Sequence, residues 1–171
     1  MGTSHPESRP WILNKIESVN ASRILDVGAG SGTYSTYLNN NGYAGSIDAI
    51  EVWAPYIEEF SLYTQYDNVF EDDVRNHVDF NYDVVIFGDI LEHMSKEDAL
   101  ALWSRVSESA SYAVIAIPII HYHQGEINGN PYETHVKDDW SHEEVLNSFD
   151  GIIDSWQGEV VGAYWADFTN R

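Results

Sequence analysis

The spacing of apolar residues changes several times along this 171-residue chain, and each change marks an element. Apolar residues at 12, 13, 16 and 19 recur at helical spacing and predict a helix over 11–19, lying on one face of a sheet. Ile24, Leu25 and Val27 make a short run with β-branched residues, the pattern of a buried strand. That strand passes through Gly28, Gly30 and Gly32 into a helix opening at Thr33, which turn residues 39–43 bring to an end. A second strand over 45–51, a helix over 53–63 and a third, short strand over 68–74 follow. Residues 82–88 form the clearest buried strand. Ser95 has the position of an N-cap, with Asp98 three residues on, and opens a helix that runs to about Ser109. Residues 113–118 read as a fifth strand, 141–147 as a short helix, and the tail as a hairpin turning at Gln157-Gly158.

Strands that alternate with helices demand a mostly parallel sheet with helices on both faces. Two prolines and polar residues mark 1–10 as a loosely packed arm. No internal repeat or linker divides the rest, so residues 1–171 read as a single domain, long enough to bury about 70% of its unfolded surface. With 43% hydrophobic and 13% aromatic residues, there is ample material for a core.

Composition narrows the partners. No apolar run approaches the roughly 18 residues of a membrane span, and the N-terminus has no apolar stretch of a signal peptide. The absence of cysteine removes disulfides and thiolate metal sites and fits a cytoplasmic location. Twenty-eight acidic against eight basic side chains leave a net charge of −20. Such a field repels phosphate backbones and anionic membranes, so neither nucleic acid nor membrane is an expected partner. It favours a cationic ligand. Monomer and homodimer both remain open.

The candidate chemistry begins where the first strand turns through glycines into a helix. That geometry brings backbone N–H groups and a helix N-terminus close to a ligand, and a Cβ would block both the turn and the approach. A dinucleotide fingerprint spaces its glycines G-x-G-x-x-G. Here Asp26-Val-Gly28-Ala29-Gly30-Ser31-Gly32 spaces them G-x-G-x-G, two residues after a carboxylate, with Tyr34 just beyond. This segment resembles the first motif, D-x-G-x-G-x-G, of the class I S-adenosylmethionine-dependent methyltransferases. The likeness extends from about residue 12 to 168. It implies a Rossmann-like three-layer sandwich: a seven-stranded, mostly parallel sheet whose C-terminal hairpin supplies the one antiparallel strand. It also implies S-adenosyl-L-methionine as cofactor, leaving S-adenosyl-L-homocysteine as product.

Four strand ends carry acids: Asp26, Glu51, Asp73 and Asp89. Glu51 stands 21 residues after Gly30, a spacing at which a strand-end acid can accept from both ribose hydroxyls. By resemblance, Glu51 is the ribose acid and Val52 or Trp53 lies against the adenine. Asp73 with Val74 is the acidic strand end at the adenine amino group, and Asp72 competes for that role because a one-residue slip exchanges the two. Residues 83–94, reading through Gly88-Asp89 to Leu91-Glu92-His93, resemble the fourth-strand motif of small-molecule methyltransferases. Gly88 and Asp89 would then lie beside the methionine part of the cofactor, and His93 at the mouth of the active site.

The loop 119–140 is long for a compact domain and rich in histidine and aromatics. Family members with a similar segment use it as a wall over the acceptor, which makes His121, His123, His135 and Tyr132 candidate acceptor contacts or bases. His121 and His123 with Glu126 and His135 offer weak spacing for zinc or iron, and no metal is assigned.

The expected activity is methyl transfer to a small-molecule acceptor by in-line displacement, with His93, His121 or His123 as general base. Two other readings compete: an inactive cofactor-binding partner subunit, and a nucleotide-dependent oxidoreductase. The second is disfavoured because the third glycine comes one residue early and Asp26 has no role in it.

Overall fold

The computed structural model describes residues 5–170. Five strands pair in parallel: β1 (Arg23–Val27), β2 (Ser46–Glu51), β3 (Asn68–Glu71), β4 (Val84–Gly88) and β5 (Tyr112–Pro118). The hairpin of β6 (Ile152–Gln157) and β7 (Val161–Asp167) completes a seven-stranded sheet ordered β3-β2-β1-β4-β5-β7-β6. β7 runs antiparallel to both β5 and β6. The hairpin turns where the sequence predicts, with Gly158 N–H donating to Val161 O at 2.9 Å.

The sheet is buried on both sides, as its β-branched runs require. Alternate residues of β1 and β4 face opposite layers. Leu25, Val27, Val85 and Phe87 pack with Leu102, Trp103 and Val106 of α4 (Lys96–Ser109) and with Val145 of α5 (His142–Ser148). Ile24, Val84 and Ile86 pack with Ile12 and Ile16 of α1 (Arg9–Ser18), Leu38 of α2 (Thr33–Asn40) and Ile57 of α3 (Ala54–Glu59). This is the three-layer Rossmann-like sandwich. Among the described residues no helix is long and apolar enough to cross a membrane.

Three boundaries differ from expectation. The helix predicted over 53–63 stops at Glu59, because Ser61 adopts φ 51° and a separate single turn, Leu62–Thr64, follows. β3 stops at Glu71, before the predicted end at 74, since Asp73 turns aside to accept from Arg75. The loose arm expected over 1–10 is corrected for residues 5–10; residues 1–4 lie outside the described residues. Pro6–Ser8 forms a single turn, Ser8 is buried, and Glu7 accepts from the N–H groups of Val160 and Val161, each at 3.1 Å.

The chain runs outward from β1 to β3, then returns to β4 on the other side of β1. Strand order therefore reverses between β1 and β4, where such sheets open a crevice at their carboxyl ends.

Candidate active site

At that crevice lies a cavity of about 330 Å³. The glycine loop forms its floor. Gly28, Gly30 and Gly32 have φ of 70°, 52° and 77°, the left-handed region that glycine enters without penalty. A Cβ on Gly28 would also stand 1.9 Å from Cδ1 of Ile90. The loop is tied to β2 by Gly28 N–H and Ala29 N–H, which both donate to Ile50 O.

Glu51 closes the end of β2. Its Oε2 accepts from Gly30 N–H at 2.9 Å and its Oε1 from Trp53 N–H at 2.8 Å. Each carboxylate oxygen has two acceptor sites, so each keeps one for a ligand's hydroxyls. Burial raises the Glu51 carboxyl above its usual range, although backbone donors, Trp53 and Gly30 foremost, pull the other way.

The cavity brings together Gly28, Ala29, Gly30, Ser31, Tyr34, Glu51, Val52, Asp72, Val74, Gly88, Asp89 and His93, all expected from the sequence. Six expected residues lie elsewhere. Asp26 points into the α1–α3 layer, where it is 2% exposed and accepts from Tyr66 Oη–H at 2.6 Å. Burial pushes its carboxyl up to about 7, against the lowering effect of that hydrogen bond. Gly32 shapes the turn without lining the cavity, and Asp73 faces Arg75. Trp53 lies against the Tyr132 ring, 6.2 Å between centroids. His121 and His123, with side chains 73% and 78% exposed, both turn outward to Asp138 at 3.3 and 3.1 Å.

Loop 119–140 does wall the cavity, through Tyr122, Gln124, Asn130, Tyr132, Glu133 and His135. Of these only Tyr132 and His135 are foreseeable as chemistry. His5 at the N-terminus also lines it, and its backbone N–H donates to Asp89 Oδ2 at 2.9 Å. Sequence reasoning also passes over Glu92, although it adjoins His93. Glu92 and His93 sit on a single turn, Leu91–His93, directly after β4. Glu92 is 1% exposed, and burial together with Asp89 raises its carboxyl well above the usual range. Burial lowers His93 to about 4, with His135 contributing, so the imidazole is neutral at pH 7. Among the described lining residues are five carboxylates (Glu51, Asp72, Asp89, Glu92, Glu133) against one guanidinium, Arg75. Such a cavity suits a cation.

A family described as the methyltransferase domain matches residues 25–115, from β1 into β5. No curated protein matches the sequence. Among solved structures, a S-adenosylmethionine-dependent methyltransferase from Clostridium acetobutylicum is 13% identical, with 93% of this chain and 89% of that one covered at a TM-score of 0.70. The methyltransferase domain of bacterial CtHen1-C is 15% identical, covering 94% and 96% at 0.69. The N-terminal domain of EvdMO1, with SAH bound, is 13% identical, covering 96% and 82% at 0.66. Likeness at such identities is a likeness of fold. The family match spans more than half of the sequence and contains the glycine loop, Glu51 and the turn after β4, and the chain accordingly belongs to the class I S-adenosylmethionine-dependent methyltransferases.

Proposed function

We propose that this chain, acting as a single domain, transfers the methyl group of S-adenosylmethionine to a small-molecule acceptor by in-line displacement. The carrying observation is one cavity lined both by the glycine loop and Glu51 and by Glu92, His93 and His135. The residues fit the cofactor. The left-handed glycines turn the backbone through the cavity floor, where a Cβ on Gly28 could not stand, Glu51 keeps one acceptor site per oxygen, and the cavity volume lies within the usual range for small ligands.

Bound there, the cofactor supplies an electrophilic methyl group on a sulfonium. Glu51 would hold the ribose, Val52, Asp72 and Val74 the adenine edge, and Tyr34, Gly88 and Asp89 the methionine part. Gly88 permits that arrangement, because a Cβ there would stand 2.1 Å from Cε2 of Tyr34. Because a sulfonium donor would leave as a neutral thioether, the chain's task is chiefly alignment, which supplies about 7–11 kcal/mol in favourable cases. Tyr122, Gln124 and Tyr132 would bound the acceptor and exclude water. His93, neutral and facing the cavity, meets the acceptor as a hydrogen-bonding partner rather than as a cation.

The test is incubation of the full chain with methyl-labelled cofactor and a panel of hydroxyl and amine metabolites, alongside RNA, DNA and protein. Label is expected in the low-mass fraction. Label confined to polymers would overturn the small-molecule assignment.

A further inference from the structure

Glu92 is the least explained side chain of the cavity. It is 1% exposed, and neither carboxylate oxygen has a hydrogen-bond partner among the described residues. A buried carboxylate without a partner is costly. Its backbone carbonyl, by contrast, is doubly engaged: it accepts from Val136 N–H at 2.8 Å and Lys137 N–H at 3.0 Å, which pins loop 119–140 against the turn after β4.

Two imidazoles converge on the same point. His93 Nδ1 lies 3.2 Å from Thr134 O, and His135 Nδ1 lies 2.6 Å from Tyr122 O. A carbonyl only accepts, so each Nδ1 carries the proton and each Nε2 presents a lone pair. The rings meet edge to face, with centroids 4.9 Å apart. One ligating atom from each of Glu92, His93 and His135 lies within 4.8 Å of the others. Each imidazole thus offers a free acceptor beside the Glu92 carboxyl. Arg75, the lining guanidinium, is taken up by Asp73. A backbone carbonyl on the far ring nitrogen is also how metal-ligating histidines are commonly oriented.

We propose that Glu92, His93 Nε2 and His135 Nε2 form a binding site for one divalent transition cation at the acceptor end of the cavity. Two imidazoles and a carboxylate suit zinc, iron(II) or cobalt(II) better than magnesium or calcium, and three protein ligands leave a position open for an incoming oxygen. Resting on the methyl-transfer reading, the site assigns the acceptor's class: a hydroxylated molecule whose oxygen binds the cation. Coordination acidifies that hydroxyl, as it does metal-bound water. The hydroxyl proton passes to solvent, the oxygen lone pair forms the new O–CH₃ bond, and the S–CH₃ bonding pair leaves on sulfur as a neutral thioether.

The experiment uses the full chain, stripped with a chelator and titrated calorimetrically with zinc chloride, and in parallel with S-adenosylhomocysteine. One saturable zinc site is expected. Glu92→Gln, His93→Ala and His135→Ala should each weaken it by about 100-fold or more, at or above the upper end of the typical loss for an outer-shell partner. His121→Ala and His123→Ala, which alter the exposed pair at Asp138, should leave it unchanged. Far-UV circular dichroism and retained S-adenosylhomocysteine binding confirm that each variant is folded. Loss of the zinc site in the His121 or His123 variant instead, or no saturable zinc binding in a chain that still binds S-adenosylhomocysteine, would overturn the metal site alone. A chain that binds zinc but not S-adenosylhomocysteine would overturn the cofactor reading and leave the metal site standing.

Discussion

At the scale of single residues, what was legible in the sequence was whatever the backbone enforces. Gly28 and Gly30 could be placed because a glycine-punctuated turn has one geometric use, and Glu51 because it ends a strand a fixed distance later. Asp72 and Asp73 could not be separated: one step along the chain swaps the face, and only the ion pair with Arg75 settles which of them turns away from the cavity. Nor could sequence tell that His121 and His123 turn to Asp138 while His135 turns inward, since all three occupy one irregular loop without a period. Glu92 carried a faint signal, an acid beside a histidine just past a buried strand, but its partner His135 is joined to it only by the fold.

Asp26 gives a prediction at this scale. Its folded value of about 7 lies above the ordinary 3.8. Between those values the folded chain holds a proton that the unfolded chain has lost. The buried Asp26 is therefore harmless below the lower value and costs stability increasingly as pH rises toward the upper one. Asp26→Asn removes that cost, so its stability relative to the parent should improve by on the order of 2–4 kcal/mol between about pH 4 and about pH 8. Urea unfolding at the two pH values reads this directly. Parallel stability curves would show that Asp26 ionises freely.

At the scale of elements, periodicity found the seven strands and five α-helices of the described residues, and the errors fall at their ends. α3 is shorter than its apolar pattern because Ser61 leaves the helical region, an event with no hydrophobic signature. The N-terminal arm, polar and proline-bearing, is nonetheless anchored through Glu7 to the start of β7, a contact between the two ends of the chain that no local pattern announces. The Ser95 cap was read correctly, whereas Ser141, read as the first residue of its helix, is the cap of α5. Ser95 Oγ accepts from Asp98 N–H at 3.1 Å, as its sequence position implies. Ser95→Ala should cost about 1 kcal/mol and lower the melting temperature by about 2–4 °C, while S-adenosylhomocysteine affinity stays the same. A change in that affinity would mean that α4 communicates with the site.

At the scale of the whole molecule, the acidic excess and the cavity agree. A net charge of −20 surrounds a cleft lined by five carboxylates, and both features favour cationic ligands over phosphate backbones. The reversal of strand order between β1 and β4 sets the carboxyl ends of β1, β2 and β4 around one space, so that residues far apart in sequence share a ligand. Architecture of this kind could be argued from alternating strands and helices. The acceptor end could not, because it is built by a loop.

The central claim is that the glycine loop and Glu51 hold the cofactor, and calorimetric titration with S-adenosylhomocysteine, with NAD as control, tests it most directly. The parent chain should bind S-adenosylhomocysteine saturably at one site and not NAD, and Glu51→Gln should weaken binding by about 10–100-fold, the loss of charge-assisted bonds to the ribose. Undiminished affinity in that variant, or a parent chain that prefers NAD, would contradict the account.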